Sequence, residues 1–314
     1  MAPNQFSSGD AIADRRADYA RMLAESGDHA AAAELMEQAL ELVPSWAAGW
    51  VQLGDYCDKA GQTDKAIAAY KTVDGLDSDG IFAAPLKLAV LGAVETPEQP
   101  PSAYVEGLFD DYAERFETSL VKKLEYSVPQ KLAALIDTAR PESGQFACVV
   151  DIGCGTGLLG AEIREWAARL EGFDISANML AKAQEKAIYH HLAQADLSLA
   201  SEASDLFSAD LPRHRADLVA AADVMMYLGS LETVMPLVVE LLAPGGSFAF
   251  SVEDAEDADG FVLRPSLRYA HSQSYVCSLL AASGLEILAI EKTTIRKDAG
   301  KPLGGILFLA RKPA

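Results

Sequence analysis

The sequence predicts an α/β protein in which an all-α module of helical repeats precedes a mostly parallel β-sheet. Two observations lead to this fold class. From residue 146 to the end, short apolar runs alternate with segments of helical periodicity, as in parallel sheets covered by helices on both faces. Residues 13 to about 80 instead repeat with a period of 34 residues, the length of a helix–turn–helix repeat.

Composition limits the classes of function. The chain has 314 residues, half of them hydrophobic, which is enough for two domains with substantial cores. A formal charge of −20 argues against nucleic acid as a partner, because binding to phosphates needs a basic surface. The four cysteines form no C-x-x-C pair, so neither a metal site nor a disulfide framework is expected. With no apolar leader and no apolar stretch of about 18 residues, the sequence predicts a cytoplasmic protein without membrane contact.

The repeat can be followed residue by residue. Gly27 corresponds to Gly61, and Ala32 to Ala66. Large, small and aromatic residues follow the tetratricopeptide pattern at Trp50, Leu53, Gly54, Ala66 and Tyr70. Residues 1–95 are therefore predicted to form a tetratricopeptide-repeat-like module. Its role is either that of a structural or dimerising appendage, or that of a surface which recruits a substrate or a protein partner.

Residues 96–140 are predicted to be a linker followed by lid helices. Three prolines between Thr96 and Pro101 exclude a continuing helix. Phe109, Tyr112 and Phe116 then recur on one helical face. Such an aromatic stripe belongs to a core more often than to a lid over a ligand.

The remaining residues, 141–314, are predicted to form the sheet domain. Its seven strands are expected at 147–152, 171–174, 192–195, 217–222, 246–252, 286–294 and 304–311. Its helices are expected at 157–169, 177–188, 230–242 and 272–283. The last two strands have no helical pattern between them, so they are predicted to be antiparallel neighbours.

The first of these strands runs into a glycine-rich segment, residues 153–157. Glycine lets the backbone approach a ligand, and a helix follows at once, so this segment is predicted to hold a cofactor. Gly155-x-Gly157-x-x-Gly160 matches the dinucleotide fingerprint, which keeps an NAD-type oxidoreductase as an alternative. Against it, Asp151 at the end of the strand would repel a pyrophosphate and suits a positively charged ligand.

Further segments, in the right order, resemble the class I S-adenosylmethionine-dependent methyltransferases over about residues 103–314. The segments that carry the resemblance are Val150–Gly157, Gly172–Ser176 with Met179 and Leu180, Ala195–Leu197, and Asp217–Asp223 followed by Leu242–Gly246. With the repeats ahead of it and Phe109-Asp110-Asp111-Tyr112-Ala113 leading into the domain, the chain resembles a bacterial subgroup that carries tetratricopeptide repeats. The resemblance implies a Rossmann-like sheet of seven strands with an antiparallel last strand, and S-adenosylmethionine as the cofactor.

The resemblance also implies roles for single residues. Asp174 would bind the ribose hydroxyls, with Ile175 against the adenine. Asp196 would accept a hydrogen bond from the adenine amino group, with Leu197 packed beside it. The cofactor-binding residues are predicted to be Tyr112, Asp151, Gly153, Gly155, Gly157, Asp174, Ile175, Met179, Asp196, Leu197 and Asp223. The simpler alternatives are that Asp174 caps the next helix and that Asp196 is a surface carboxylate.

The methyl acceptor is expected beyond the fourth and fifth strands, at the carboxyl edge of the sheet. Tyr227 would line the methyl channel, or else be a packed aromatic at a helix start. Arg264, Arg268, Tyr269 and His271 follow the fifth strand. Residues 264–314 hold eight Lys/Arg against three Asp/Glu, a net charge of +5 (8 − 3) that could anchor a carboxylate or phosphate.

The predicted substrate-binding residues are Tyr227, Arg268, Tyr269 and His271. Tyr227 and His271 are predicted to be catalytic, with His271 as a proton acceptor near neutral pH. The alternative is that the basic residues are solvated around a helix that Ser272 caps.

The sequence therefore predicts a methyltransferase acting on an unidentified acceptor, a small molecule rather than a protein. Transfer from a sulfonium mainly needs alignment and exclusion of water, so a strong base is optional. Two alternatives remain: a non-catalytic adaptor that retains the fold, and an NAD-type oxidoreductase. A protein partner is expected only through the repeat module, and no metal is expected.

Overall fold

The computed structural model describes residues 7–116, 126–142, 144–256, 258–298 and 300–314. The chain divides into two compact units, Met1–Gly107 and Leu108–Ala314. The division predicted from the sequence, with boundaries at residues 95 and 140, stays a prediction.

The first unit is built from helices whose contacting faces carry small side chains. Its helices are α1 Ala11–Glu25, α2 His29–Leu40, α3 Ala47–Lys59, α4 Thr63–Leu76 and α5 Ala84–Val90, and α6 Ser102–Tyr112 spans the boundary between the units. Ala13, Ala20, Ala32, Ala39 and Ala66 are completely buried. The 34-residue period corresponds to the pairs α1–α2 and α3–α4, whose turns place Gly27 and Gly61 at positive φ.

Gly54 lies where α3 and α4 approach each other. A Cβ at this position would overlap the ring of Tyr70, which lies on α4. The Tyr70 hydroxyl donates a hydrogen bond of 2.6 Å to Asp55, so the ring is fixed in place. The glycine of the repeat pattern is therefore required by packing.

The second unit contains a seven-stranded sheet in the order β3-β2-β1-β4-β5-β9-β8. The strands are β1 Phe146–Ile152, β2 Ala167–Asp174, β3 His191–Gln194, β4 Ala216–Ala221, β5 Leu242–Glu253, β8 Glu286–Asp298 and β9 Lys301–Arg311. Strands β1 to β5 pair in parallel, whereas β9 is antiparallel to both β5 and β8. The predicted Rossmann-like sheet with an antiparallel last strand is confirmed.

Helices cover both faces of this sheet. They are α7 Val128–Asp137, α8 Leu158–Ile163, α9 Ala177–Glu185, α10 Val234–Leu241 and α11 Gln273–Ala282. On β1, Val150 and Ile152 belong to an apolar cluster that includes α10 and α11, whereas Val149 belongs to one that includes α7 and α8. Because successive strand residues face opposite sides, Asp151 lies on the same side as Val149.

The structure corrects two local predictions. The helix expected at 157–169 ends at Ile163, and β2 already begins at Ala167, because its pairing with β1 overrides the helical propensity of this alanine-rich stretch. A short hairpin, β6 Phe261–Leu263 and β7 Tyr269–His271, was not predicted. Strands of three residues are too short to show an alternating pattern.

Among the helices that the structure describes, none combines the length and apolar character needed to cross a membrane.

Gly54→Ala should lower the free energy of unfolding by about 1–3 kcal/mol, because the added methyl group meets the Tyr70 ring. The matched control is Gly75→Ala on α4, where a Cβ meets no atom within 4 Å. That change should raise stability by about 0.5 kcal/mol through helix propensity. Denaturant unfolding of the full chain, followed by circular dichroism, measures both. Equal effects of the two substitutions would contradict the packing account.

Candidate functional site

Several of the predicted site residues lie at one edge of the sheet of the second unit. The parallel strands β1, β2, β4 and β5 end at Ile152, Asp174, Ala221 and Glu253. Ligands of open α/β sheets bind outside these carboxyl ends. The candidate site therefore lies where the loops after these strands meet.

The glycine loop of residues 153–157 is held against the end of β2. Gly153 has a φ of +65°, and a Cβ there would overlap the side chain of Val224 in the loop after β4. The Cys154 N–H donates 2.9 Å to the Phe173 carbonyl. The Gly155 N–H donates 2.8 Å to Asp174 Oδ2. The backbone N–H groups of the loop thus fix it against β2. Because glycine has no side chain, a ligand can approach the backbone of the loop closely.

Asp174 is buried and is not the cap of the next helix. Its Oδ1 accepts 2.9 Å from the Ser176 N–H, and Ser176 itself caps α9 by accepting from the Met179 N–H at 3.0 Å. The alternative of Asp174 as an N-cap is therefore wrong. The Ser176 hydroxyl donates 2.6 Å to Asp110 of α6, which also accepts from the Asn178 N–H at 3.2 Å.

Asp110 is a residue that the sequence analysis did not assign to the site. The segment that contains it, Phe109 to Ala113, contributed to the family resemblance, so a signal was present. Its carboxylate ties α6 to the loop after β2 that carries Asp174.

Asp151 is the second buried carboxylate, with 1 % of its surface exposed. The Tyr189 hydroxyl donates 2.7 Å to Asp151 Oδ2. Burial raises the pKa of Asp151 to about 7, although the hydrogen bond from Tyr189 opposes the shift. Burial likewise raises the pKa of Asp174 to about 6, against hydrogen bonds from the backbone of Ser176 and Gly155.

The two carboxylates lack a cationic partner. No Lys, Arg or His among the residues that the structure describes forms an ion pair with Asp151 or Asp174. A buried negative charge without a counter-ion is costly, and a cationic ligand removes that cost. This region therefore fits a positively charged ligand and opposes a pyrophosphate. Within the described part of the chain, no group of three or more His, Cys, Asp or Glu could hold a metal ion.

The other predicted cofactor residues lie around this pair in varied environments. Ile175 is half-buried, whereas Met179 is completely buried in α9. Leu197 packs into the apolar cluster of one sheet face. Asp196 Oδ1 accepts from the backbone and hydroxyl of Ser198, at 2.9 and 2.6 Å. Their contacts with a cofactor stay predictions.

An aromatic group borders the glycine loop. Phe109, Tyr112 and Phe116 pack edge to face, with ring centroids of Tyr112 and Phe116 5.4 Å apart. The Phe116 ring approaches the Cβ position of Gly155 to 4.0 Å, and Phe109 packs on Tyr227 at 4.8 Å. The aromatic stripe predicted from the sequence therefore borders the glycine loop. Through Phe109 it also contacts Tyr227, which was predicted to bind the acceptor.

Asp223 and Tyr227 lie in the loop after β4. Val224 of the same loop packs against Gly153. Asp223 has a φ of +58°, and its N–H donates 2.8 Å to the Ser251 hydroxyl on β5. Residues in the left-handed region are strained and concentrate at functional sites. Burial raises the pKa of Tyr227, so its phenol keeps its proton at neutral pH.

Beyond this loop lies a group of three arginines and two carboxylates, which we call the arginine–carboxylate cluster: Asp223, Glu253, Arg264, Arg268 and Arg296. Arg296 contacts Asp223 at 2.6 Å and also pairs with Glu253. Arg268 contacts Glu253 at 2.9 Å, and Arg264 approaches it to 3.6 Å. The cluster carries a formal charge of +1 (3 − 2).

Glu253 and Arg296 were missed because nothing local marks them. Glu253 ends β5, and Arg296 lies 43 residues later on β8. Only the pairing of β5 and β8 with β9 brings them together.

The structure corrects the roles predicted for His271 and Tyr269. Both lie on β7 and are completely buried. His271 Nε2 donates 2.8 Å to the Gly229 carbonyl, and burial lowers the pKa of His271 to about 4. A buried, neutral imidazole is a poor proton acceptor near neutral pH, and Tyr269 presents no surface to a substrate. The basic residues are not simply solvated either, since Arg268 is paired with a buried carboxylate.

Comparison with known proteins decides between the cofactor families. The methyltransferase domain family matches residues 124–290, more than half of the chain. The chain belongs to this methyltransferase family. A tetratricopeptide repeat matches residues 47–79, which cover α3 and α4. These matches confirm the predicted family with its repeats, and with it S-adenosylmethionine as the cofactor.

Individual relatives match the chain in part. A malonyl-[acyl-carrier protein] O-methyltransferase of Enterobacter lignolyticus is 33% identical over 132 residues, 42% of this chain and 47% of the relative. A trans-aconitate 2-methyltransferase of Paracidovorax citrulli is 34% identical over 110 residues, 34% of this chain and 38% of the relative. The matched parts thus span less than half the length of these methyltransferases.

Among solved structures, the fold resembles a 1,6-didemethyltoxoflavin-N1-methyltransferase of Burkholderia thailandensis, solved with its substrate and S-adenosylhomocysteine. The TM-score is 0.52 at 19% identity, and the match covers 70% of this chain and 94% of that one. At this identity the likeness shows the fold alone.

The affinity for S-adenosylmethionine should rise with pH from about 5 to about 8. Asp151 and Asp174, with pKa values of about 7 and about 6, are protonated below this range and charged above it, and only the charged forms attract a cation. The dissociation constant should change by up to about tenfold per pH unit for each of the two groups, most steeply at about pH 5, where both are protonated. Calorimetric titration across this range measures it, with thermal unfolding of the ligand-free protein as the control. A pH-independent affinity would contradict the assignment.

Proposed function

We propose that this methyltransferase transfers the methyl group of S-adenosylmethionine to a small molecule that carries a carboxylate or phosphate. The observation that supports the cofactor side is the pair of buried carboxylates, Asp151 and Asp174, without a cationic partner among the described residues. The observation that supports the acceptor side is the surplus of arginine in the arginine–carboxylate cluster.

S-adenosylmethionine, when bound, supplies a methyl group on a positively charged sulfur that is itself the leaving group. Asp151 and Asp174 would supply the negative charge that attracts this cation. The glycines of the loop would allow the backbone to approach the cofactor, and Asp174 is the residue to which the resemblance gives the ribose hydroxyls. Phe109 and Phe116 border this loop.

Neither residue predicted from the sequence to be catalytic is suited to act as a base. The pKa of His271 is lowered to about 4 by burial, and burial raises the pKa of Tyr227, so neither accepts a proton readily at neutral pH. An ionised carboxylate needs no base, because it is already a nucleophile. Bound S-adenosylmethionine would supply the methyl group to this oxygen and leave as a neutral thioether, so that the acid would become a methyl ester.

The arginines are placed to orient such an acid. The side chains of Arg264 and Arg268 are 32% and 22% exposed, whereas that of Glu253 is fully buried. Arg264 Nε is buried and faces Glu253 Oε2 at 3.6 Å, and Arg264 Nη2 donates 2.7 Å to the Asp254 carbonyl. A guanidinium carries five N–H donors and binds carboxylate or phosphate through paired N–H groups, so the exposed part of Arg264 is suited to an acidic ligand. The names of the malonyl and trans-aconitate relatives are consistent with acidic acceptors.

The non-catalytic adaptor is the weaker alternative. A fold kept only for scaffolding has no reason to bury two unpaired carboxylates beside a strained loop, since each lowers stability. The recruiting role of the tetratricopeptide repeats stays a proposal for a protein partner or the substrate.

Methyl-labelled S-adenosylmethionine, offered with a panel of small acids, tests the proposed function. The panel includes trans-aconitate, malonyl-coenzyme A and phosphorylated metabolites, each beside its neutral ester or amide. We expect labelled product from one or more acids and none from their neutral counterparts. Transfer to neutral members only would contradict the acidic acceptor, and binding of the cofactor without transfer to any fraction of a lysate would favour the adaptor.

Arg264→Met should raise the KM for an acidic acceptor at least tenfold, because the guanidinium that orients the acid is lost. The dissociation constant of S-adenosylhomocysteine should stay within about twofold, since Arg264 does not contact the glycine loop. Arg213→Met is the matched control, because Arg213 pairs with Glu240 away from the cluster. Steady-state kinetics and calorimetry provide the two readouts. An unchanged KM would remove Arg264 from the acceptor site.

A further inference from the structure

Tyr189 fills a slot that three glycines leave open beneath the cofactor loop. It precedes β3, and its ring lies between the sheet and α8. A Cβ on Gly157 would lie 2.9 Å from Tyr189 Cε2, one on Gly160 2.6 Å from Cζ, and one on Gly172 2.8 Å from Cε1. Gly157 belongs to the loop, Gly160 to α8 and Gly172 to β2. The third glycine of the fingerprint is thus required by the phenol ring.

The loop that carries Tyr189 is pinned to the sheet. The neighbouring His190 N–H donates 2.8 Å to the Leu170 carbonyl on β2, and His190 Nδ1 accepts from the Leu170 N–H at 2.9 Å. The ring has one fixed position, and its hydroxyl reaches Asp151 Oδ2 at 2.7 Å. Burial raises the pKa of Tyr189 well above its usual value, so the phenol stays a donor.

The groups around Asp151 show which of them can support its negative charge. Besides Tyr189, the ionisable groups near the carboxylate are Asp174, which repels it, and the Cys154 thiol and Tyr126 phenol, which burial keeps protonated by raising the pKa of each. Besides the Tyr189 hydroxyl, the backbone of Gly160 supports the charge. Tyr189 is therefore the side-chain donor to Asp151 in the described part of the chain.

We propose that Tyr189 is a positioning residue of the cofactor site: its phenol fixes the Asp151 carboxylate beneath the glycine loop and supports the negative charge that holds S-adenosylmethionine. The proposal rests on the proposed function. It extends the site to a residue that no motif marks, and it gives Gly157, Gly160 and Gly172 a common purpose.

Tyr189→Phe tests the proposal, because it keeps the ring in its slot and removes only the hydroxyl. The affinity for S-adenosylmethionine at about pH 7 should fall about tenfold, the effect of a lost hydrogen bond to a charged group. The pH at which the affinity is half-maximal should also move upward, because Asp151 then loses its proton at a higher pH. Calorimetric titration over a pH series measures both effects. A residue that only filled space would leave the pH profile unchanged.

Tyr70→Phe is the matched control. It removes a tyrosine–aspartate hydrogen bond of 2.6 Å within the helical unit. Its affinity and pH profile should be those of the parent protein.

Gly160→Ala is a second variant that disturbs the hydrogen bond between Tyr189 and Asp151. Its methyl group would push the phenol away from Asp151, so the affinity should fall as it does in Tyr189→Phe.

Parent-like affinity and pH profile in Tyr189→Phe would overturn the proposal while the parent protein still binds the cofactor. Failure of the parent protein to bind S-adenosylmethionine would instead overturn the proposed function.

Discussion

The site depends on two carboxylates that are buried side by side without a cation to balance them. Asp151 and Asp174 lie on neighbouring strands, and each is supported by hydrogen bonds instead of an ion pair. Charged groups are rarely buried in this way, because the free energy lost on desolvation exceeds the free energy gained from hydrogen bonds with neutral donors. The arrangement becomes favourable when a ligand brings positive charge, so a glycine fingerprint shared with dinucleotide-binding proteins is suited here to a sulfonium.

The opposite charge gathers on the far side of the same loop. Val224 packs against Gly153, and the residue before it, Asp223, pairs with Arg296 at the start of the arginine–carboxylate cluster. In the proposed reaction, a negative region for the donor adjoins a positive region for an acidic acceptor. Methyl transfer would neutralise the sulfonium and lower the charge of the acid, so both regions would hold the products less firmly than the reactants.

The sequence could predict the features that depend on residues close together in the chain. Alternating strands and helices indicated the sheet, and the spacing from Gly153 to Asp174 placed the second acid on β2. What it could not predict depends on distant pairing: Glu253 meets Arg296 only through β9, and Tyr189 meets Asp151 only across β1 and β2. His271 was misjudged because a three-residue strand gave no sign that its side chain would be buried.

We propose that the charge of Asp151 and Asp174 holds the cofactor. Asp151→Asn is the substitution that tests this proposal. The amide keeps the shape of the side chain and removes its charge. Calorimetry at about pH 8, with the exposed Asp137→Asn as the control, should show affinity for S-adenosylmethionine reduced at least tenfold and affected by the control less than about twofold. Equal or tighter binding by Asp151→Asn would contradict the account.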